Sequence, residues 1–225
     1  MREKRAKILL RHRFILTLFI FFRIMTGSVS AQDPLQEIEQ ELQDRDWQVR
    51  LAAVEKLGGR SNEAAVDLLM KVAGTRSEYW PVQIKAIQLL GEAAHPKALD
   101  LLLSIFNDTF RNWECPSIKS RTALALAHFG GEKKVIETLA KGMYDGELLT
   151  REASIEALGK TGDPRAIPHL IQVLRDGSVA VRLRAVESLE MIGDPLAVPP
   201  LRYVAEYDSV PLVRERARAA LENFH

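Results

Sequence analysis

Six copies of one short phrase recur along this chain at nearly constant intervals. The first copy has an apolar residue at Val49, a small residue at Ala53 and a large one at Leu57, and Arg usually follows the apolar residue. The steps between successive copies are 33, 36, 32, 31 and 32 residues, and the later copies begin at Val82, Ile118, Thr150, Val181 and Val213. A fixed period in this range is typical of a stacked array, in which each unit buries its apolar face only against its neighbours. The repeat therefore predicts an elongated helical array and favours binding over catalysis.

Spacing within the phrase predicts the secondary structure of each unit. Positions i, i+4 and i+8 lie on one face of an α-helix, which we call helix A. About twelve residues after the large residue comes a second apolar anchor, which predicts a helix B: Leu69, Leu102, Leu139, Leu170 and Leu201. Between the two helices, Gly162-Asp163-Pro164 and Gly193-Asp194-Pro195 combine a helix stop, a cap and a first-turn proline. Each repeat is thus predicted to be a pair of antiparallel helices.

Charged residues recur in the same register. An Asp lies five residues before four of the six phrase starts, and an Arg directly follows the same four starts. We predict a structural ladder of charge-assisted hydrogen bonds along the array rather than a ligand site, because an active site is normally built once. The ladder residues are Asp44, Arg50, Asp145, Arg151, Asp176, Arg182, Asp208 and Arg214.

The phrases of the later units resemble HEAT repeats of the short type found in phycobilisome-lyase-like proteins. The closest matches read TREASIEALGKTGDPRAIPHL from Thr150 and VRLRAVESLEMIGDPLAVPPL from Val181. The second and third units depart from the pattern, since Gln83 and Lys119 replace the Arg and Thr122 replaces the Ala. The resemblance implies an all-α, right-handed α-α superhelix of the HEAT or armadillo kind. We expect about five full helix pairs with a capping helix at each end.

The first 31 residues differ from the array. A basic head precedes an apolar run of nine residues, 14–22, which is far shorter than the ~20 residues that span a bilayer. Small residues then lead to Ala31, which predicts a bacterial signal peptide over 1–31 with cleavage after Ala31. The protein is then periplasmic or secreted; the alternative is an uncleaved anchor in the inner membrane. Residues 32–43 are predicted to form a capping helix, and 44–225 the repeat array.

Removing the leader changes the charge balance. Residues 1–31 hold seven of the 31 Lys and Arg residues and one of the 30 acidic residues, so residues 32–225 carry a net charge of −5. A mildly acidic domain argues against nucleic acid as a partner, because nucleic-acid binding normally needs a basic face. The only cysteine, Cys115, excludes an internal disulfide.

Catalytic constellations are scarce. None of the five His residues is followed by Glu, whereas the HEAT-repeat relatives that are di-iron hydroxylases are built from His-Glu dipeptides. We therefore predict no catalytic residue, no metal and no cofactor. Other relatives of the resembled family attach or detach bilins in the cytoplasm, which an export signal argues against. A bilin lyase-like enzyme, or a factor that assembles a membrane complex, is kept as the alternative on the same scaffold.

Large aromatic residues mark one candidate binding edge. Those that precede a helix A, and those in the longer stretch between Leu102 and Ile118, are expected to lie along one edge of the array: Trp47, Tyr79, Trp80, Phe110 and Trp113. They could anchor a partner or fill gaps between helices. Polar candidates on or near helix B are Arg165, His169 and Arg202. The sequence thus predicts a non-enzymatic, exported scaffold that binds another protein through its curved helical surface, with membrane contact only if the leader is uncleaved.

Overall fold

The computed structural model describes residues 34–224, apart from the side chains of Pro34, Asn112 and Trp113. The predicted signal peptide and the first two residues of the predicted capping segment lie outside the described residues. By its internal contacts the chain divides into two units, Met1–Glu37 and Ile38–His225. The repeats all belong to the second unit.

Residues 34–224 form thirteen α-helices and no β-strand. Short 3₁₀ turns occupy Pro96–Ala98, Ala127–Phe129, Pro164–Ala166 and Pro195–Ala197. The α-helices are α1 Pro34–Glu41, α2 Trp47–Lys56, α3 Glu63–Gly74, α4 Trp80–Ala93, α5 Leu99–Asn107, α6 Thr109–Glu114, α7 Pro116–Leu126, α8 Lys133–Gly142, α9 Leu148–Lys160, α10 Ile167–Val173, α11 Val179–Ile192, α12 Val198–Tyr207 and α13 Pro211–Leu221.

The six phrases coincide with six of these helices. The A helices are α2, α4, α7, α9, α11 and α13, and the B helices that follow the first five of them are α3, α5, α8, α10 and α12. Helix α6 is an insertion between the second and third pairs. The predicted all-α repeat architecture is confirmed, with five A–B pairs, α1 before them and α13 after them.

The core runs through the interior of the helix pairs because the phrase residues face inward. Leu57, Leu90, Leu126, Leu158 and Leu189 are all 0% exposed. Each A helix packs against the next A helix, and each B helix packs against the A helix that follows it. Burial is therefore shared between neighbouring units, as the repeat period predicts.

Successive A helices approach each other closely at small residues. A Cβ atom on Gly159 would lie 2.7 Å from the Cα of Ser188, and one on Gly91 would lie 2.7 Å from the Cα of Ala125. The Ser188 hydroxyl also donates a 2.9 Å hydrogen bond to the backbone carbonyl of Ile155 in the preceding A helix. Side chains larger than these would force the A helices apart.

The breaks between A and B helices use the local signals seen in the sequence. Gly162 and Gly193 take the left-handed conformation, with φ of 63° and 69°. Asp163 and Asp194 each accept a hydrogen bond from the backbone N–H two residues later. The proline that directly follows each Asp is the first residue of the 3₁₀ turn. These residues stop one helix and start the next without a long loop.

The insertion between the second and third pairs is a short helix rather than an open connection. Arg111 of α6 is buried and donates 2.9 Å hydrogen bonds to the carbonyls of Ala73 and Gly74, at the end of α3. Burial lowers the pKa of Arg111. Asp108 caps α6 by accepting from the Arg111 N–H at 3.1 Å and pairs with Arg76 at 2.6 Å. The inserted helix therefore caps the carboxyl end of α3, the B helix of the first pair.

Within residues 34–224, no helix combines the length and the apolar character that crossing a membrane requires.

Candidate binding surface

The connections from each B helix to the next A helix follow one another along one edge of the array. The rings of Trp47 and Tyr79, from the first and second connections, lie 4.8 Å apart between centroids. Arg76 and Asp108 join the second connection to the third by their 2.6 Å ion pair. We call this surface the connection edge; it comprises residues 42–47, 75–80, 108–116, 143–149, 174–179 and 207–212.

The ladder Asp residues lie on the connection edge, and each ladder Arg lies in the first turn of the A helix that follows. The two meet through the backbone within each unit. Each ladder Asp accepts a hydrogen bond from the N–H two residues later, which belongs to the residue just before helix A rather than to its first turn. Each ladder Arg donates to the backbone carbonyl of the Asp six residues before it, at 2.6–2.9 Å. The Arg side chain thereby fixes the turn that leads into its own helix.

Carboxylates and cations meet between units instead. Arg182 donates to both carboxylate oxygens of Asp208 at 2.8 and 3.1 Å, and both side chains are less than a tenth exposed. Lys119 pairs with Asp145 at 2.6 Å. Arg50 pairs with Glu78 at 2.7 Å, since Glu78 lies near the place of the missing Asp. These ion pairs join neighbouring units across the connection edge.

The ladder is interrupted twice. Gln83 cannot form an ion pair and donates only to the carbonyls of Thr75 and Glu78. Arg151 and Asp176 form no ion pair, and no cationic side chain of the described residues pairs with the Asp176 carboxylate. One ladder carboxylate of the fifth unit thus lacks the cation that its position predicts.

The paired carboxylates titrate below their ordinary range. Burial works to raise the pKa of Asp208, but the hydrogen bond from Arg182, the Val210 N–H and the nearby Arg charges outweigh it and lower the pKa. The pKa of Asp145 is lowered in the same way, because the bonds from Lys119 and the Glu147 N–H outweigh burial. Both carboxylates therefore stabilise the folded chain in their ionised form.

Exposed apolar side chains collect on the same edge. Of the eleven large apolar side chains that are exposed in the described part of the chain, eight lie in the connections or within two residues of them. They are Tyr79, Trp80, Phe110, Tyr144, Leu148, Leu149, Tyr207 and Leu212. Tyr203 lies on α12 one helical turn before Tyr207. The remaining two of the eleven, Met191 and Leu196, lie at the opposite edge. Exposed apolar side chains concentrated on one edge are typical of a protein-binding face.

The residues singled out from the sequence are distributed over several surfaces. Tyr79, Trp80 and Phe110 are exposed on the connection edge, whereas Trp47 is half-buried against the Tyr79 ring. Trp113 lies in α6, but its side chain is outside the described ones. The four predicted aromatic residues whose side chains are described all lie on the connection edge; Trp47 packs against Tyr79, and the other three rings are exposed.

The polar residues predicted from the sequence do not lie with the aromatic ones on the connection edge. Arg165 lies at the opposite edge, where it pairs with Asp163 and donates to the Gly131 carbonyl at 3.1 Å. His169 is half-buried on α10, and Arg202 is exposed on α12.

Sequence reasoning missed a groove between α10 and α12. The groove has a volume of about 420 Å³. The Tyr203 and Tyr207 rings on its wall lie 5.0 Å apart at an angle of 44°. Its apolar lining is Ile171, Leu174, Pro200, Tyr203, Val204 and Tyr207, and its polar lining is Arg175, Asp176, Arg182, Asp208 and Ser209. The four-residue spacing of the two tyrosines on a predicted B helix indicates that both rings share one face of α12, but it does not indicate the groove.

Solved structures with similar folds are helical-repeat proteins. A designed armadillo repeat protein in complex with the peptide (KR)4 is 19% identical, with 86% of this chain and 100% of that chain covered and a TM-score of 0.59. The complex of CpcE and CpcF of phycocyanin lyase from Nostoc sp. PCC7120 is 23% identical, with 86% and 77% covered and a TM-score of 0.55. A computationally designed armadillo repeat protein for modular peptide recognition is 19% identical, with 85% and 100% covered and a TM-score of 0.54. At these identities the likeness concerns the fold.

Comparison with curated proteins gives no match. The family model for HEAT repeats matches residues 35–113, 108–182 and 168–222, which together span nearly all of the described chain. The six phrases, the five helix pairs and this match agree, and the chain belongs to the HEAT-repeat family.

Proposed function

We propose that this protein is an exported, non-enzymatic scaffold that holds another protein against its connection edge. The observation that supports the proposal most is the concentration of exposed aromatic and aliphatic side chains on that edge, which holds eight of the eleven in the part of the chain that the structure describes. Exposed Trp and Tyr side chains are the residues that most often dominate the energy of protein interfaces.

The array is suited to this role because its binding edge is already ordered. The connections are held by the ladder bonds and by the ion pairs between units, such as Arg182 with Asp208. A partner therefore meets side chains whose backbone is fixed, and little ordering cost falls on the receptor. The net charge of −5 over residues 32–225 favours a protein partner over nucleic acid.

A crosslinking pull-down from the native cell envelope tests the scaffold. The variant Trp80→Ala removes an exposed ring on the connection edge, and Met191→Ala is its matched control, since both side chains are 46% exposed and Met191 lies at the opposite edge. We expect Trp80→Ala to reduce recovery of the specific partner at least about fivefold, as for an interface hot spot. Met191→Ala leaves recovery unchanged. Equal recovery with both variants would show that the edge does not bind.

Two further measurements test the remaining parts of the proposal. Sequencing the amino terminus of the protein purified from its native host is expected to begin at Gln32, and a sequence beginning at Met1 would contradict cleavage. Absorbance and elemental analysis of the same material are expected to find no pigment and no stoichiometric metal. A bound bilin or metal would point to an enzyme instead of a scaffold.

A further inference from the structure

We propose that the groove between α10 and α12 binds a Lys or Arg side chain, so that the partner presents a basic segment to the last two repeats. This inference rests on the proposed scaffold function and names the chemistry of its partner at one place. It depends on three features: two aromatic rings, a carboxylate without an ion pair, and the net negative charge of the chain around a neutral lining.

The aromatic wall supplies the first feature. Tyr203 and Tyr207 are both more than half exposed, and their rings lie 5.0 Å apart on the same side of α12. Cations are attracted to the electron-rich faces of tyrosine rings within about 6 Å. The apolar floor of Ile171, Leu174 and Val204 suits the methylene stem of a long basic side chain.

The carboxylates supply the second feature. Asp176 lines the groove, and one of its oxygens accepts a 2.8 Å hydrogen bond from the Ser178 N–H. In the ladder register its cation would be Arg151, yet the two form no ion pair, so the carboxylate is available to a cation from outside. Glu206 lies beside Tyr207 on α12 and raises the pKa of the Tyr207 hydroxyl, so it adds a negative charge near the rings.

The balance of charge supplies the third feature. Arg182 and Asp208 neutralise each other by their two hydrogen bonds. Arg175 balances the charge of Asp176, so the lining itself is neutral, and Glu206 lies outside it beside Tyr207. The −5 charge of residues 32–225 attracts basic partners from a distance.

Binding of labelled hexalysine to the full chain, followed by fluorescence anisotropy, tests this inference, with hexaglutamate as the opposite-charge probe. We expect Tyr203→Leu to weaken hexalysine binding about fivefold and Tyr203→Phe to preserve it, since the ring face carries the attraction. Asp176→Asn should weaken binding several-fold. Its matched control is Glu215→Gln, which removes the same charge from an exposed position on α13 and should leave the Kd within about twofold.

Three results would overturn the inference. Equal losses of hexalysine affinity for Asp176→Asn and Glu215→Gln would show that binding depends on net charge alone. Unchanged hexalysine binding by Tyr203→Leu would show that the tyrosine rings do not take part. Tighter binding of hexaglutamate would make the groove an anion site. None of these results touches the scaffold proposal, which is decided separately by the Trp80→Ala and Met191→Ala pull-down.

Discussion

The second and third pairs and the last two pairs use one repeated position near the start of helix B in different ways. Five residues before the B anchor, Lys97 pairs with Asp67 of the preceding B helix at 2.6 Å, and Lys134 pairs with Asp100 at 2.7 Å. In the fourth pair the same position is Arg165, which pairs with Asp163 of its own turn, and in the fifth it is Leu196, which is 68% exposed.

The position that supplies the acidic partner of these lysines also differs between the two halves. Where Asp67 and Asp100 accept a lysine from the next unit, the last two B helices carry Pro168 and Pro199, and α12 adds its tyrosine pair. The earlier half satisfies these surface positions within the array, whereas the later half leaves apolar surface without a neighbour. Successive repeats can thus keep the same kind of buried residues while the residues on their outer surface differ.

The largest expected effect tests whether both halves share one kind of interior. Leu90→Ala in the earlier half and Leu189→Ala in the later half each remove a side chain that is 0% exposed between neighbouring helices. Each should lower the free energy of unfolding by about 2–5 kcal/mol, measured by guanidinium denaturation. A loss under about 1 kcal/mol in only one half would contradict a shared interior.

The next effect concerns the buried ion pair of the later half. Asp208→Asn removes the carboxylate that Arg182 binds and should cost about 1.5–3 kcal/mol at pH 7. Because folding lowers the pKa of Asp208, its contribution is fully present above the unfolded-state pKa of about 3.9 and is lost as the pH falls through the lower folded-state pKa.

The difference in stability between wild type and Asp208→Asn should therefore shrink on acidification, as followed by denaturation from pH 7 to pH 3. Asp176→Asn is the control, since Asp176 has no cationic partner among the described residues and its Ser178 hydrogen bond is kept by the Asn oxygen. A difference in the free energy of unfolding between wild type and Asp208→Asn that stays constant with pH would show that the lost stability does not come from the ionised carboxylate.

The smallest effect concerns the exposed pairs of the earlier half. The Asp100 side chain is 87% exposed, so Asp100→Asn should change the free energy of unfolding by less than about 0.5 kcal/mol, and salt should remove the difference. Thermal melts at low and high salt measure it. A loss above about 1 kcal/mol would mean that these surface pairs hold neighbouring units together, contrary to the comparison of the two halves.

The helix pairs could be predicted from the sequence because their signals are local. The phrase spacing, the glycines that end a helix and the Asp-Pro starts act within a few residues, and the structure places all six A helices where the phrases lie. The groove could not be found in this way. The exposure of Tyr203 depends on what α10 places opposite it, and the missing partner of Asp176 depends on the next unit rather than on its own neighbours in sequence.

Arg111 was missed for a related reason. It belongs to no repeat, and its hydrogen bonds reach the carbonyls of Ala73 and Gly74, 38 and 37 residues earlier. A charged residue in an irregular stretch gives no sequence signal that it is buried. Its burial depends on the end of α3, which lies beside it only in the folded chain.

The inserted helix α6 also limits how this chain could be shortened, duplicated or recombined. The fourth and fifth pairs meet through glycine, serine and proline signals that each carries within its own length, so an added or deleted copy there finds compatible neighbours. Arg111 of α6, in contrast, belongs to no repeat and donates its hydrogen bonds to the end of α3 in the first pair. Excising residues 108–115 would leave the Ala73 and Gly74 carbonyls without that donor, and we expect such a chain to unfold first at the end of α3.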